Sequence, residues 1–177
     1  MARYISSKIA NKLPATTPDD KGTVLVDKTT VALDVNLAAN DIIIFSKIPS
    51  GCEPVDLTAI CDQLDSNVAP TLTLTFGILN DAGTDLVAST DFITDTATLG
   101  RTAAQSMNRA ANPLGLMLSA VDAVNTASDI GTKETGTVAT SLLGRRHGDR
   151  ILAAKVTNVA ATKKAGNITA FFSYTAK

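Results

Sequence analysis

The chain has 177 residues, with 16 Lys+Arg against 17 Asp+Glu; hydrophobic residues make up 45% and aromatic residues 4%, with no Trp. That length fits one domain able to bury a core. Apolar content with near-zero net charge excludes intrinsic disorder, and the lack of basic excess excludes a dedicated nucleic-acid binder.

Residues 1–13 carry Arg3, Lys8 and Lys12 and no acid, and a run of turn formers follows, Pro14-Ala15-Thr16-Thr17-Pro18-Asp19-Asp20-Lys21-Gly22. The expectation is an extended N-terminal arm over residues 1–22, lying on its own domain or on a neighbour, and a β-domain over residues 23–177. From Thr23 the period is two. Val31, Leu33, Val35 and Leu37 alternate with polar or small residues, which puts them on one face of a strand. Ile42-Ile43-Ile44-Phe45 reads as a strand buried on both faces. Val55, Leu57, Ala59 and Cys61 alternate as a strand bounded by Pro54 and the turn Asp65-Ser66-Asn67. Leu72, Leu74, Phe76 and Ile78 form the clearest strand.

Residues 99–111, Ala-rich and stopped by Asn112-Pro113, are expected as a short surface helix. Residues 114–120 and 137–143 read as further strands. So do the sets Leu152, Ala154, Val156 and Ile168, Ala170, Phe172, Tyr174. Turn signals stand between these runs at Asp27-Lys28, Asn40-Asp41, Pro49-Ser50-Gly51, Asn80-Asp81-Ala82-Gly83, Gly148-Asp149 and residues 163–167. Strands recurring about every ten residues, with no crossover helices, predict an all-β antiparallel sandwich, a jelly roll of about eight strands with one short helix.

Catalytic patterns are missing. His147 is the only histidine and stands in a polar loop, Arg145-Arg146-His147-Gly148-Asp149-Arg150; Ser141 and Asp149 are near it in sequence only. Asp56, Asp62, Asp65, Asp81, Asp85, Asp91, Asp95, Asp122 and Asp129 are scattered singly, mostly in turns where Asp caps its own backbone. Residues 80–85 resemble a calcium loop without its closing Glu. Cys52 and Cys61 fit no zinc spacing and read as two reduced thiols, a disulfide being the alternative. No phosphate-binding glycine motif occurs. The expectation is therefore no enzyme, no cofactor and no metal. With no signal-peptide core and no apolar run of spanning length, the chain is expected to be soluble and made in a cytoplasm, without membrane or nucleic-acid partners.

Three groups of segments carry a family resemblance. The first is Ile48-Pro49-Ser50-Gly51 with Val55-Asp56-Leu57 and Leu64-Asp65-Ser66-Asn67. The second is the run from Pro70 through Leu74 and Phe76 to Leu79. The third is the closing pattern Gly148-Asp149-Arg150-Ile151-Leu152, Val156-Thr157, Ala161-Thr162, Ala165-Gly166-Asn167-Ile168-Thr169 and Tyr174. In this order the chain resembles the small β-sandwich structural proteins of tailed bacteriophages, over about two-thirds of its length. The resemblance implies a jelly-roll head decoration or cement protein. Such a protein would lie on the capsid surface of a virion assembled in the host cytoplasm, bridge major capsid protein subunits and form a homotrimer. The contacts expected on that reading are Arg3, Tyr4, Lys8 and Lys12 of the arm, with Arg145 and Arg146. A tail, neck or fibre component is the alternative, though the chain shows no repeats. A carbohydrate-binding sandwich is disfavoured by the lack of Trp.

Overall fold

The structure, a computed structural model, describes residues 1–13, 16–17, 22–49, 52–79, 83–86, 99–101, 106–109 and 150–176. Among them are eight strands and one helical turn: β1 (Arg3–Ile5), α1 (Ser7–Ala10), β2 (Val24–Leu33), β3 (Ile42–Ile48), β4 (Cys52–Cys61), β5 (Thr73–Ile78), β6 (Ser106–Arg109), β7 (Arg150–Asn158) and β8 (Gly166–Ala176). They form two four-stranded sheets, ordered β1-β3-β7-β5 and β2-β8-β4-β6. Among the described residues, odd strands lie in one sheet and even strands in the other. Pairing is antiparallel except for β1, which runs parallel to β3 with Arg3 opposite Ile42 and Ile5 opposite Ile44. The fold is the all-β sandwich that the period-two pattern predicts.

The inner faces meet in one apolar core. Leu74, Phe76 and Ile78 of β5, Leu152, Ala154 and Val156 of β7, and Ile168, Ala170, Phe172 and Tyr174 of β8 are all buried there, as alternation requires. Phe45 stacks on Phe76 with ring centroids 5.8 Å apart, and Phe172 on Tyr174 at 5.6 Å. With few aromatics, the remaining volume is filled by Ala, Val, Leu and Ile, which lets the strands pack closely.

Two bulges shift which residues face inward. In β3 the register shifts between Ile44 and Ser46, so the core face passes from Ile43 and Phe45 to Ile48. In β4 it shifts between Pro54 and Asp56, leaving Val55 as the extra residue, 50% exposed. The simple alternation that groups Val55 with Leu57, Ala59 and Cys61 therefore fails at its first member. Pro54 has no N–H for the ladder, and a bulge beside it is where a strand tolerates that loss.

Ile42 and Ile44 are buried on the opposite face of β3, in a second cluster with Leu79 and Ala153, against which Ile9 of α1 and Leu86 pack. This is why Ile42-Ile43-Ile44-Phe45 is apolar on both sides. It also fixes where the N-terminal segment lies: on its own sandwich. β1 extends the first sheet, Ser6 caps α1 by accepting from the Ile9 N–H at 3.4 Å, and the Ser6 hydroxyl donates to the Phe45 carbonyl.

Three sequence expectations change. The strand expected through Leu37 ends at Leu33, because Asp34 Oδ1 accepts the Asn36 N–H at 2.7 Å and closes a turn. Asp27-Lys28, read as a turn, lies inside β2: Asp27 pairs with Lys8, and Lys28 sits over the Phe171 ring, 5.5 Å from its centroid. The helix expected over residues 99–111 is not formed in the part described. Gly100 has φ +78, Leu99 is fully buried, and residues 106–109 pair with Thr58–Cys61 of β4. A Cβ at Gly100 would lie 2.9 Å from Leu72 Cδ2, so that turn excludes a side chain. Ala-rich helix propensity is worth only tenths of a kcal/mol per residue, and sheet pairing outweighs it here. The strands expected at residues 114–120 and 137–143, and the turn at Gly148-Asp149, lie outside the described residues.

Candidate functional site

Two surfaces gather the polar and exposed apolar groups. The first is built by the N-terminal segment, which starts at the β2–β3 loop, where the Ala2 N–H meets Asp41 and Tyr4 meets Asp34, and runs along β3 to a groove at the far end of the strands. Tyr4, on β1, donates from its hydroxyl to Asp34 Oδ1 at 2.9 Å. Burial first, then this carboxylate, push the Tyr4 hydroxyl up to about 12. The Asn36 N–H first, then the Tyr4 hydroxyl, hold Asp34 below its usual range. Lys8 forms an ion pair with Asp27. Arg3 lays its guanidinium against Gly83, and Lys12 follows α1 with φ 54. Between this segment and the β2, β3 and β8 ends that lie away from the interstrand loops described next is a groove of about 300 Å³. Its lining includes Ile9, Leu13, Leu25, Lys47 and Tyr174. The Tyr174 hydroxyl closes one side by donating to the Thr16 carbonyl at 2.7 Å.

The structure thus brings Arg3, Tyr4, Lys8 and Lys12 onto one short segment, but commits Tyr4 and Lys8 to bonds within the chain. Arg145 and Arg146 lie outside the described residues, as do His147, Ser141 and Asp149.

The second surface is formed by the β2–β3, β4–β5 and β7–β8 loops. Pairing of Leu33 with Gly166, Cys61 with Ile168, Thr73 with Asn158 and Ile42 with Lys155 sets all three at one end. Asp65 is the staple of this end. It is fully buried, and its carboxylate accepts five backbone N–H groups: Asn67 at 3.2 Å and Thr162 at 3.0 Å on Oδ1, and Thr71 at 2.7 Å, Ala161 at 2.9 Å and Leu72 at 3.2 Å on Oδ2. Burial pushes its pKa up, but the bonds from Thr162, Ala161, Thr71 and Asn67 outweigh that and bring it down to about 2. Asn67 adds a bond to Thr162 Oγ1 at 3.0 Å, and Thr71 Oγ1 donates to the Val159 carbonyl at 2.7 Å. Asp41 holds the β2–β3 loop through the Ala38 N–H at 2.9 Å and ties it to the Ala2 N–H. Asp62 holds the start of β8 through the Asn167 N–H at 2.8 Å.

These aspartates cap backbone, as the turn reading predicts for Asp62 and Asp65. Asp85, inside the calcium-like stretch, is held low by Lys155, which lies 2.8 Å away, and then by the Leu86 N–H. Among the described residues no group of three His, Cys, Asp or Glu side chains could hold a metal ion. No helix among them is long and apolar enough to cross a membrane. Cys52 and Cys61 sit at the two ends of the ten-residue β4. At about 3.3 Å per residue they are roughly 30 Å apart. A disulfide needs Cα atoms within about 7 Å, so they do not pair.

The sequence shows the turn Asp65-Ser66-Asn67 but not that Asp65 joins two loops distant in the chain. That role needs residues 161 and 162 beside it, and only folding brings them there.

Neither a protein-family profile nor any curated protein matches the chain. Two solved structures contain chains of similar fold. One is a chain in the capsid of Ralstonia phage GP4, 23% identical, with a TM-score of 0.69, covering 99% of this chain and 99% of that one. The other is a chain in the capsid asymmetric unit of cyanophage Pam1, 20% identical, with a TM-score of 0.58, covering 93% of each.

Proposed function

We propose that this chain is a non-enzymatic structural protein of a tailed-phage virion, one that decorates or cements the capsid by bridging neighbouring major capsid protein subunits. The observation that carries this reading is the end-to-end likeness in fold to chains within two phage capsids, 99% and 93% of this chain being covered. The strand order supports it. Among the described strands, β2-β8-β4-β6 facing β1-β3-β7-β5 is an order compatible with a jelly roll, an architecture common to capsid domains. The aspartates bonded to backbone support a building role as well, since these carboxylates are taken up in holding loops.

On this reading the chain resides on the capsid surface and is assembled there in the host cytoplasm as a homotrimer. Closed rotational symmetry lets one surface per copy meet several shell subunits, and many modest contacts add through avidity. Lys12 of the N-terminal segment, with Arg145 and Arg146, supplies the cationic groups offered to acidic positions of the shell on this reading.

The test is co-sedimentation of the purified chain with capsids assembled without it. Saturable binding, together with a solution mass three times that of the chain, is the expected result. A chain that stays in the supernatant, or that labels tails and not heads when virions are imaged, would refute the capsid role.

A further inference from the structure

We propose that the Met1–Ala2 bond is a processing site: where translation begins at Met1, a methionine aminopeptidase removes that residue, and the Ala2 nitrogen, freed as an ammonium, becomes the counter-ion of the buried Asp41 carboxylate. This does not depend on the virion role. Asp41 is 2% exposed. Its Oδ1 accepts the Ala2 N–H at 2.5 Å and its Oδ2 accepts the Ala38 N–H at 2.9 Å. Both donors are neutral backbone groups. The nitrogen that faces Oδ1 is the one that loss of Met1 turns into a cation.

The surroundings hold that nitrogen in place with or without Met1. The Ala2 carbonyl accepts the Ile42 N–H at 3.1 Å, and Arg3–Ile5 continue in parallel pairing with Ile42–Ile44. Asp41 is fixed from its own side. Its N–H donates to the Ala38 carbonyl at 3.2 Å, and its carbonyl accepts the Val156 N–H at 2.9 Å. Met1 precedes β1 and is 63% exposed, so its removal takes nothing from the core. Ala2 is exposed too. Its methyl group suits the aminopeptidases that trim a leading methionine, which reject bulky residues at the second position. The step is a hydrolysis. Water cleaves the Met1–Ala2 amide, its oxygen leaves in the carboxylate of free methionine, and its two protons end on the Ala2 nitrogen.

Charge favours the product. A hydrogen bond with an ionised partner is about twice as strong as a neutral one. Desolvation is the usual obstacle to a buried pair. Here folding has already buried Asp41, and the ammonium, on an exposed residue, keeps water on its outer side. The carboxylate holds the proton on the nitrogen, so the Ala2 amine should titrate above the ordinary α-amino range of about 7.7–8.0. A raised value of this kind stabilises the fold fully below that range, and the gain is lost as pH rises through the folded value. The other ionisable groups around the pair are Arg3 and Tyr4 on β1, Asp34 in the β2–β3 loop, and Lys155 of β7, opposite Ile42. Burial first pushes Tyr4 up to about 12, and the Asn36 N–H first holds Asp34 below its usual range. Arginine stays protonated throughout, and Lys155 is paired with Asp85 at 2.8 Å.

The experiment follows the chain produced in bacteria from Met1. Mass spectrometry should find it lighter by one methionine residue. An NMR titration of the Ala2 amine should place its pKa about one unit or more higher in the folded chain than in urea, a tenfold gain in proton affinity. The companion is Ala2→Leu, which blocks removal of Met1 at an exposed position. Between about pH 8 and 10, wild type should lose stability in urea titrations that Ala2→Leu keeps. Met1 retained on the wild-type chain overturns the proposal. So does an Ala2 amine that titrates alike in the folded chain and in urea. An equal pH dependence of unfolding in wild type and Ala2→Leu overturns it as well.

Discussion

At the scale of single residues, buried aspartates do the work that aromatic residues and cross-links do elsewhere. Asp65 is the clearest case, a fully buried carboxylate with five backbone donors. Its pKa falls from 3.8 to about 2, so its charged form stabilises the fold by roughly 2 kcal/mol at neutral pH. The sign follows from the lowered value: the stabilisation is complete above about pH 4 and is lost as pH falls from there through about 2. Asp65→Asn, which turns an NH2 group towards several of these donors, should cost about 3 kcal/mol at pH 7. Urea unfolding at pH 7 and pH 2.5 checks both points, since the gap between wild type and variant should shrink markedly at the lower pH. Cys61 makes a second residue-scale case. Burial first, then the Asp62 carboxylate, push its thiol up to about 12, and Cys52 is also buried. Neither thiol should react with a disulfide reagent at pH 8 in the native protein, and both should react in urea. A native chain that lacks two titratable thiols after unfolding would contradict the separation along β4.

At the scale of elements, the N-terminal segment has the largest consequence. β1 and α1 close the outer face of the first sheet: Ile9 packs on the cluster of Ile42, Ile44 and Ala153, and β1 pairs with β3. Two isoleucines at about 1.5–3 kcal/mol each set the scale of what this cover protects. Deleting residues 1–10 should therefore lower stability by on the order of 3 kcal/mol and create binding of a hydrophobic dye, read by denaturant titration and fluorescence. A truncated chain as stable as the whole would mean that the segment contributes nothing to the sandwich. Because this deletion alters the fold, binding tests are better made with point variants. The threonines act at this scale too. Thr30 and Thr169 meet across β2 and β8 at 2.8 Å, and Thr75 and Thr157 across β5 and β7 at 2.8 Å, each on an outer face. β-branched and uncharged, they favour extended strands and leave a surface of low charge.

At the scale of the whole molecule, the sandwich has two unlike ends: a grooved end lined by Ile9, Leu13, Leu25 and Tyr174, and an end of three loops stapled by Asp65. One continuous core, with Asp41, Asp62 and Asp65 at the loops, gives the described part of the molecule its rigidity.

The sequence by itself determined the fold class and most strands, because a half-buried strand must repeat its apolar residues every second position and the turns between are marked by Gly, Pro, Asn and Asp. It also marked Ile42-Ile43-Ile44-Phe45 as buried on both faces, since no polar residue interrupts the run. Tertiary structure alone decided the rest. The bulges in β3 and β4 move the core face by one residue without changing composition. The pairing of residues 106–109 with β4 replaced a helix that local propensity favoured. The N-terminal segment found its place only once β3 offered an edge and an apolar face. The loop end, too, could not be read from the chain, because Asp65 is far in sequence from residues 161 and 162 and meets them only when the connections between the sheets are closed.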